Sequence, residues 1–152
     1  MADVLDGSKS WFYSGIVKTH FLHPRNMALS NESISEIKPN GVGEVGSPAC
    51  GDVMKMWIHV DKNERITACK WKTFGCASAI ASTSMLSVMV TENKGMLLKD
   101  ALKIKATDIL KRLGGLPAKK IHCSVLGDQA LRAAINDYFK RTGQEGRIVK
   151  LI

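Results

Sequence analysis

Three cysteines, one aspartate and one histidine stand in short, motif-like contexts. Cys50 and Asp52 lie in Gly46-Ser47-Pro48-Ala49-Cys50-Gly51-Asp52, Cys76 in Phe74-Gly75-Cys76-Ala77-Ser78-Ala79, and His122-Cys123 in Lys120-Ile121-His122-Cys123-Ser124. Thiolates with a carboxylate or imidazole in reach select zinc, Cu(I) or iron–sulfur centres over the hard cations magnesium and calcium. A closed structural zinc site usually carries Cys-x-x-Cys knuckles, and the sequence has none. Donors spread over three separate segments instead suit an accessible site that fills and empties. Asp52 or His122 can complete four-coordination. A carboxylate holds iron in a sulfide-bridged cluster less firmly than a thiolate does, so Asp52 favours release over storage.

Two plainer readings compete. The cysteines could be unrelated, or Cys123 could be a nucleophile with His122 as its base. Sequence neighbours seldom form that pair, because catalytic partners come from different parts of a fold. Cys69 reads as a buried structural thiol beside Trp71, since a free cysteine packs as a small hydrophobe. His20 and His23 read as packing or surface residues.

The elements that must position these donors follow from periodicity. A short amphipathic helix fits Tyr13 to Leu22, with Ile16, Val17, His20 and Phe21 on one face and Pro24 as its stop. Residues 26–40 are turn-rich and read as a connecting loop. Gly41-Val42-Gly43-Glu44-Val45-Gly46 matches a dinucleotide-binding pattern in form only, because no strand precedes it and no helix opens after it. It reads as a Gly-rich edge strand running into Cys50. Met54, Met56, Ile58 and Val60 alternate with Lys55, Trp57 and His59, the period of a strand. Asp61-Lys62-Asn63-Glu64 reads as a turn, followed by a strand with Cys69, Trp71 and Thr73 on one face. So short a connection makes the pair antiparallel. The hairpin therefore brings Cys50, just before it, and Cys76, just after it, to the same end of the sheet.

A helix fits from Cys76 to about Val90, its first turns rich in small residues. Two shorter helical segments follow near Leu98–Leu102 and Thr107–Leu113, and a last helix spans roughly Ser124 to Lys140. Cys76 and Cys123 thus both stand at helix starts, where exposed N–H groups and the dipole favour thiolate. The segment 142–152 is open between a strand, a docking segment and disorder.

Composition bounds the rest. At 152 residues the chain is one domain, with residues 1–10 as a leader, 11–141 as the folded domain and 142–152 as a tail. The leader lacks the basic and apolar regions of a secretory signal, and the stretch Ala77–Val90 is broken by serines and a threonine. A cytoplasmic location, or the mitochondrial matrix for a processed form, is expected, with no membrane role. Net charge is +8, but the basic residues are scattered with no aromatic-interleaved stripe, which favours an acidic protein partner over nucleic acid.

Ala49-Cys50-Gly51-Asp52, Phe74-Gly75-Cys76-Ala77-Ser78-Ala79-Ile80-Ala81 and Lys120-Ile121-His122-Cys123-Ser124 resemble the three signature segments of the iron–sulfur cluster assembly scaffolds of the IscU type, similar also to the N-terminal domain of NifU. Tyr13-Ser14, His23-Pro24-Arg25-Asn26 and Ala133-Ala134-Ile135-Asn136-Asp137-Tyr138 extend the resemblance over Tyr13 to Lys140. It implies a compact α+β domain, a three-stranded antiparallel sheet packed against about five helices. It implies a scaffold and carrier rather than an enzyme, with Cys50, Cys76 and Cys123 holding a nascent 2Fe–2S cluster and Asp52 or His122 as fourth ligand. A 4Fe–4S cluster shared in a homodimer, and zinc on the same ligands, also fit. Cys123 would accept persulfide from a cysteine desulfurase, and Lys120 would tune the site. An iron donor or regulator, a ferredoxin-type electron donor and apo-protein acceptors complete the implied partners. Leu116-Pro117-Ala118-Lys119-Lys120 departs from the family's Leu-Pro-Pro-Val-Lys, which weakens the case for a DnaK-like chaperone. The rival functions are a zinc-dependent sulfurtransferase and a structural zinc domain.

Overall fold

The computed structural model describes residues 15–47, 52–75, 77–114 and 125–150; of Ser47, Asp52 and Val125 it describes the backbone. Its elements in order are α1 (Gly15–Leu22), α2 (Asn31–Glu36), β1 (Gly41–Ser47), β2 (Asp52–Val60), β3 (Arg65–Thr73), α3 (Ala77–Thr91), β4 (Met96–Leu97), α4 (Leu98–Ala101), α5 (Ala106–Leu113) and α6 (Val125–Arg141), then a 3-10 turn at Glu145–Arg147. The strands form one antiparallel sheet in the order β1-β2-β3-β4. The α+β class is as expected, but among the described residues the sheet has four strands rather than three, with six helices rather than about five. β4 is two residues long, pairing only with Arg65 and Ile66, and so carries no readable period.

The β2–β3 hairpin is built as its alternation requires. Met54, Met56, Ile58 and Val60 are buried on the inner face, opposite Thr73, Trp71, Cys69 and Ile66 of β3. Val53, Lys55, Trp57 and His59 take the outer face. The turn is held by Asp61, whose Oδ1 accepts from the backbone N–H of Asn63 (2.9 Å) and Arg65 (3.0 Å).

α3 and α6 cover the inner face. α6 lies on β1 where Gly41 and Gly43 present no side chain: a Cβ at either would overlap the backbone of Ala134 or of Ala130 and Ala133. α3 is enclosed by α1, α5, α6 and β3, and Ser78, Ser82, Thr83, Ser84 and Ser87 are buried along with its apolar residues. A helix buried all round has no polar stripe.

Two expectations for the N-terminal region are corrected. Ile16 and Phe21 are exposed, and only Val17 and His20 of α1 point inward, toward α3. The 26–40 stretch contains α2, a six-residue helix closed by a capping box in which Ser30 Oγ accepts from the Ser33 N–H and Ser33 Oγ from the Ser30 N–H. α2 has no buried residue and hence no apolar period to read.

The link between α1 and α2 is stitched into the core. Ser84 Oγ accepts from the Arg25 N–H (2.8 Å), Asn26 Nδ2 donates to Ser87 Oγ (3.0 Å), and Trp71 Nε1 donates to the Arg25 carbonyl (2.8 Å). Backbone bonds between Trp71 and both Asn26 and Ala28 add a short parallel bridge on the open side of β3. The buried Ser82, Ser84 and Ser87 hydroxyls of α3 therefore have partners, which is what makes them tolerable in a core.

Candidate metal centre

Of the donors singled out, Asp52 is the first residue of β2, its backbone paired with Ser47. Cys50, Cys76, His122 and Cys123 lie outside the described residues, as do Lys120 and the Leu116-Pro117-Ala118-Lys119 segment. What is described is the frame from which each of those segments departs.

The frame converges. Ser47 and Asp52 close the β1–β2 pair, and Thr73 Oγ1 and the Phe74 N–H both donate to the Val53 carbonyl, at 2.6 and 3.2 Å. The exits of β1 and β3 and the entry of β2 therefore share one end of the sheet, and α3 starts four residues beyond Thr73. α6 reaches the same end from the other side. Its residues 130–134 cross Gly43 and Gly41, so its earlier residues run toward the end of β1, and Gly127 sits against Thr83 in the second turn of α3. Both long helices thus direct their N-termini, the positive ends of their dipoles, to that end of the sheet. Anionic donors are favoured there.

Cys69 is 2% exposed in mid-β3, and burial pushes its thiol up to about 12. It stays protonated at neutral pH. His20 is buried, its Nδ1 2.6 Å from Ser84 Oγ, and burial first, then the charges of Arg25 and Arg112, holds its imidazole below the usual range. It packs as expected. His59 Nδ1 bonds to the Lys38 carbonyl (2.8 Å) on the outer face. Among the described residues no three metal-binding side chains come together.

Composition did not single out Asp128 in the first turn of α6. Its Oδ2 pairs with Arg132 Nη1 at 3.0 Å, and Arg132 Nη2 donates to the Ile104 carbonyl, tying the start of α6 to the approach to α5. Burial nevertheless raises the Asp128 carboxyl above its ordinary range, and its Oδ1, like Thr83 Oγ1, is buried without a hydrogen-bond partner. An Asp followed four residues later by Arg is the signal that marks this pair in sequence.

Beside the convergent end the sheet's outer face is open. A shallow groove of about 290 Å³ runs between Glu44, Val53, Lys55, Trp57, Lys72 and Phe74. Val53 is 39% and Phe74 76% exposed, and the Lys55 ammonium lies 5.3 Å from the Trp57 ring centre.

The structure is an α+β domain with two helix starts and three strand ends gathered at one edge of its sheet. Residues 12–145 match the family model of the NifU-like N-terminal domain, and the chain belongs to that family. It is 49% identical over 127 residues to the iron–sulfur cluster assembly scaffold protein IscU of Rickettsia prowazekii, covering 83% of this chain and 91% of that one. Over 127 residues it is 47% identical to the mitochondrial iron sulfur cluster assembly protein 2 of Saccharomyces cerevisiae, covering 83% and 77%. The fold is similar to that of the crystal structure of a nitrogen-fixing NifU-like protein (N-terminal) from Brucella abortus, with a TM-score of 0.63 at 17% identity, over 85% of this chain and 95% of that one.

Proposed function

We propose that the chain is a scaffold on which an iron–sulfur cluster is assembled from iron and desulfurase-derived sulfur and then passed to apo-proteins. The observation that carries the reading is the convergence of the flanks: the exit of β1, the entry of β2, the exit of β3 and the starts of α3 and α6 share one end of the sheet, and in sequence these flank Cys50, Cys76 and Cys123. Family membership and the names of its relatives support it. In this reading the three thiolates bind the cluster, which is cargo, with Asp52 or His122 as the fourth donor. Cys123 takes the persulfide, and Lys120 tunes the charge of the site. A transferred sulfur arrives at the oxidation level of elemental sulfur and needs two electrons to become bridging sulfide. An electron donor of the ferredoxin type therefore belongs among the partners, beside a cysteine desulfurase, an iron donor and the acceptors. The 2Fe–2S cluster is the unit for one chain, a 4Fe–4S cluster requires a second copy, and zinc fits the same donors. Val53 and Phe74, exposed at the rim, offer such partners an apolar foothold. No described helix is long and apolar enough to cross a membrane, and relatives named as bacterial and mitochondrial proteins support a cytoplasmic or matrix setting.

The test is anaerobic reconstitution with iron, cysteine and a cysteine desulfurase, followed by absorbance, Mössbauer spectra and metal and sulfide analysis. Cys50→Ser, Cys76→Ser and Cys123→Ser should each abolish or destabilise the iron–sulfide chromophore, and Cys69→Ser should not. Asp52→Ala should leave folding intact and lengthen the life of the bound cluster. A colourless protein that holds one tight zinc and turns over persulfide would replace this reading with a sulfurtransferase.

A further inference from the structure

We propose that residues 142–150 are a clasp that sets how firmly α6 is docked, and through it how long the chain keeps its cargo. The statement about cargo rests on the scaffold reading; the statement about docking does not.

The segment, of which residues 146–150 lie beyond the family match, folds back on the far end of the molecule. Asn136, nine-tenths buried on α6, uses both halves of its amide on Val149: Nδ2 donates to the carbonyl (2.8 Å) and Oδ1 accepts from the N–H (3.0 Å). Arg147 forks onto Glu64 in the β2–β3 turn, with Nη1 2.6 Å from Oε2 and Nη2 3.2 Å from Oε1. The same guanidinium is braced by Gln144 Oε1 at 2.7 Å and stacks 4.5 Å over the ring of Phe139.

Three chain regions therefore meet at one group. Phe139 is fully buried in the last full turns of α6, and Arg147 is part of its cover. Glu64 stands in the left-handed region (φ 62°), and its carbonyl accepts from the Leu98 N–H, so the turn it holds is itself anchored to the start of α4. Opening the clasp uncovers Phe139 and frees the C-terminal half of α6 from the hairpin. The N-terminal end of that same helix continues from the segment with Cys123. α6 has 17 residues, about 25 Å at 1.5 Å each. Hydrogen bonds hold it as one unit, so looser docking at one end raises the open population of the whole helix.

The test is hydrogen exchange by mass spectrometry on the full chain, with zinc release to a chelator measured in parallel. Arg147→Glu and Glu64→Arg each break the fork at exposed positions that do not threaten folding. Each should speed exchange of the α6 amides roughly three- to tenfold and shorten zinc retention in proportion. The exchanged pair, Glu64→Arg with Arg147→Glu, should recover part of that loss, because the fork is rebuilt with its ends reversed while the stack on Phe139 stays lost. Unchanged exchange across α6 in the single variants, or additive loss in the double variant, overturns the clasp. Faster exchange with unchanged zinc release overturns its link to cargo. A chain that binds neither zinc nor a cluster would strike the scaffold reading and leave the exchange data to decide the clasp.

Discussion

Cys69 is governed by what surrounds its sulfur. In mid-strand, opposite Ile58 and next to Trp71, a thiolate would have no water to solvate it, and burial raises the thiol to about 12. Desolvation always disfavours the charged form, and the one opposing charge, Lys70, is too weak to offset it. Thiolate is the reactive species, so Cys69 should be inert in the native protein. Iodoacetamide at pH 8 should modify the other cysteines while Cys69 is labelled only in denaturant, as peptide mapping would read directly. Rapid native labelling of Cys69 would mean that β3 opens.

At the scale of elements, the docking of α6 on β1 depends on atoms that are missing. Gly41 and Gly43 leave the strand bare where the helix backbone passes, and neither requires a left-handed φ. Gly43→Ala would force its methyl into the backbone of Ala130, Ala133 and Ala134, with no flexible side chain to yield. Overpacking of this kind costs about 1–3 kcal/mol, and a backbone obstacle puts it at the upper end. Chemical denaturation of Gly43→Ala should show the loss. Gly146→Ala, where the new methyl meets nothing, should show almost none.

The whole molecule carries a pH dependence set by His20. Its folded imidazole lies below the ordinary 6.5, so the unfolded chain binds the extra proton first as pH falls. The stability it supports is complete above about pH 6.5 and is lost as pH falls through that value toward the folded pKa. Asp128 has the opposite sign, since its raised carboxyl costs stability as pH climbs through the acid range. Thermal melts of the parent and of His20→Gln from the acid range up to pH 8 should separate the two, the variant losing the fall below pH 6.5 and keeping the opposite dependence set by Asp128. How much of this was legible depends on length and period. The β2–β3 hairpin and α6 each carry a sustained pattern and α3 a long run of small and apolar residues, and their limits were readable to within a residue or two. α2, with six surface residues, and β4, with two, carry none, so they appear only through tertiary contacts. Ile16 and Phe21 were misplaced because the face of α1 is chosen by the stitches from Arg25 and Asn26 to α3, not by its own hydrophobicity. For the centre itself, residue types and the hairpin told which segments should meet, and the described frame is consistent with that meeting.

The sheet's borders have a consequence for how this molecule can associate. On one side the Val42 N–H, on the outermost strand, is already taken by Asp137 Oδ2 of α6 at 2.8 Å. On the other, residues 26–28 and β4 lie along β3 and occupy backbone groups that a neighbour would need. Unsatisfied strand borders are the usual template for sheet extension and for fibrous aggregation. With these positions occupied, strand addition is blocked there. A second copy or a visiting protein then has to engage side chains on the open face or at the convergent end, and such encounters are more readily undone.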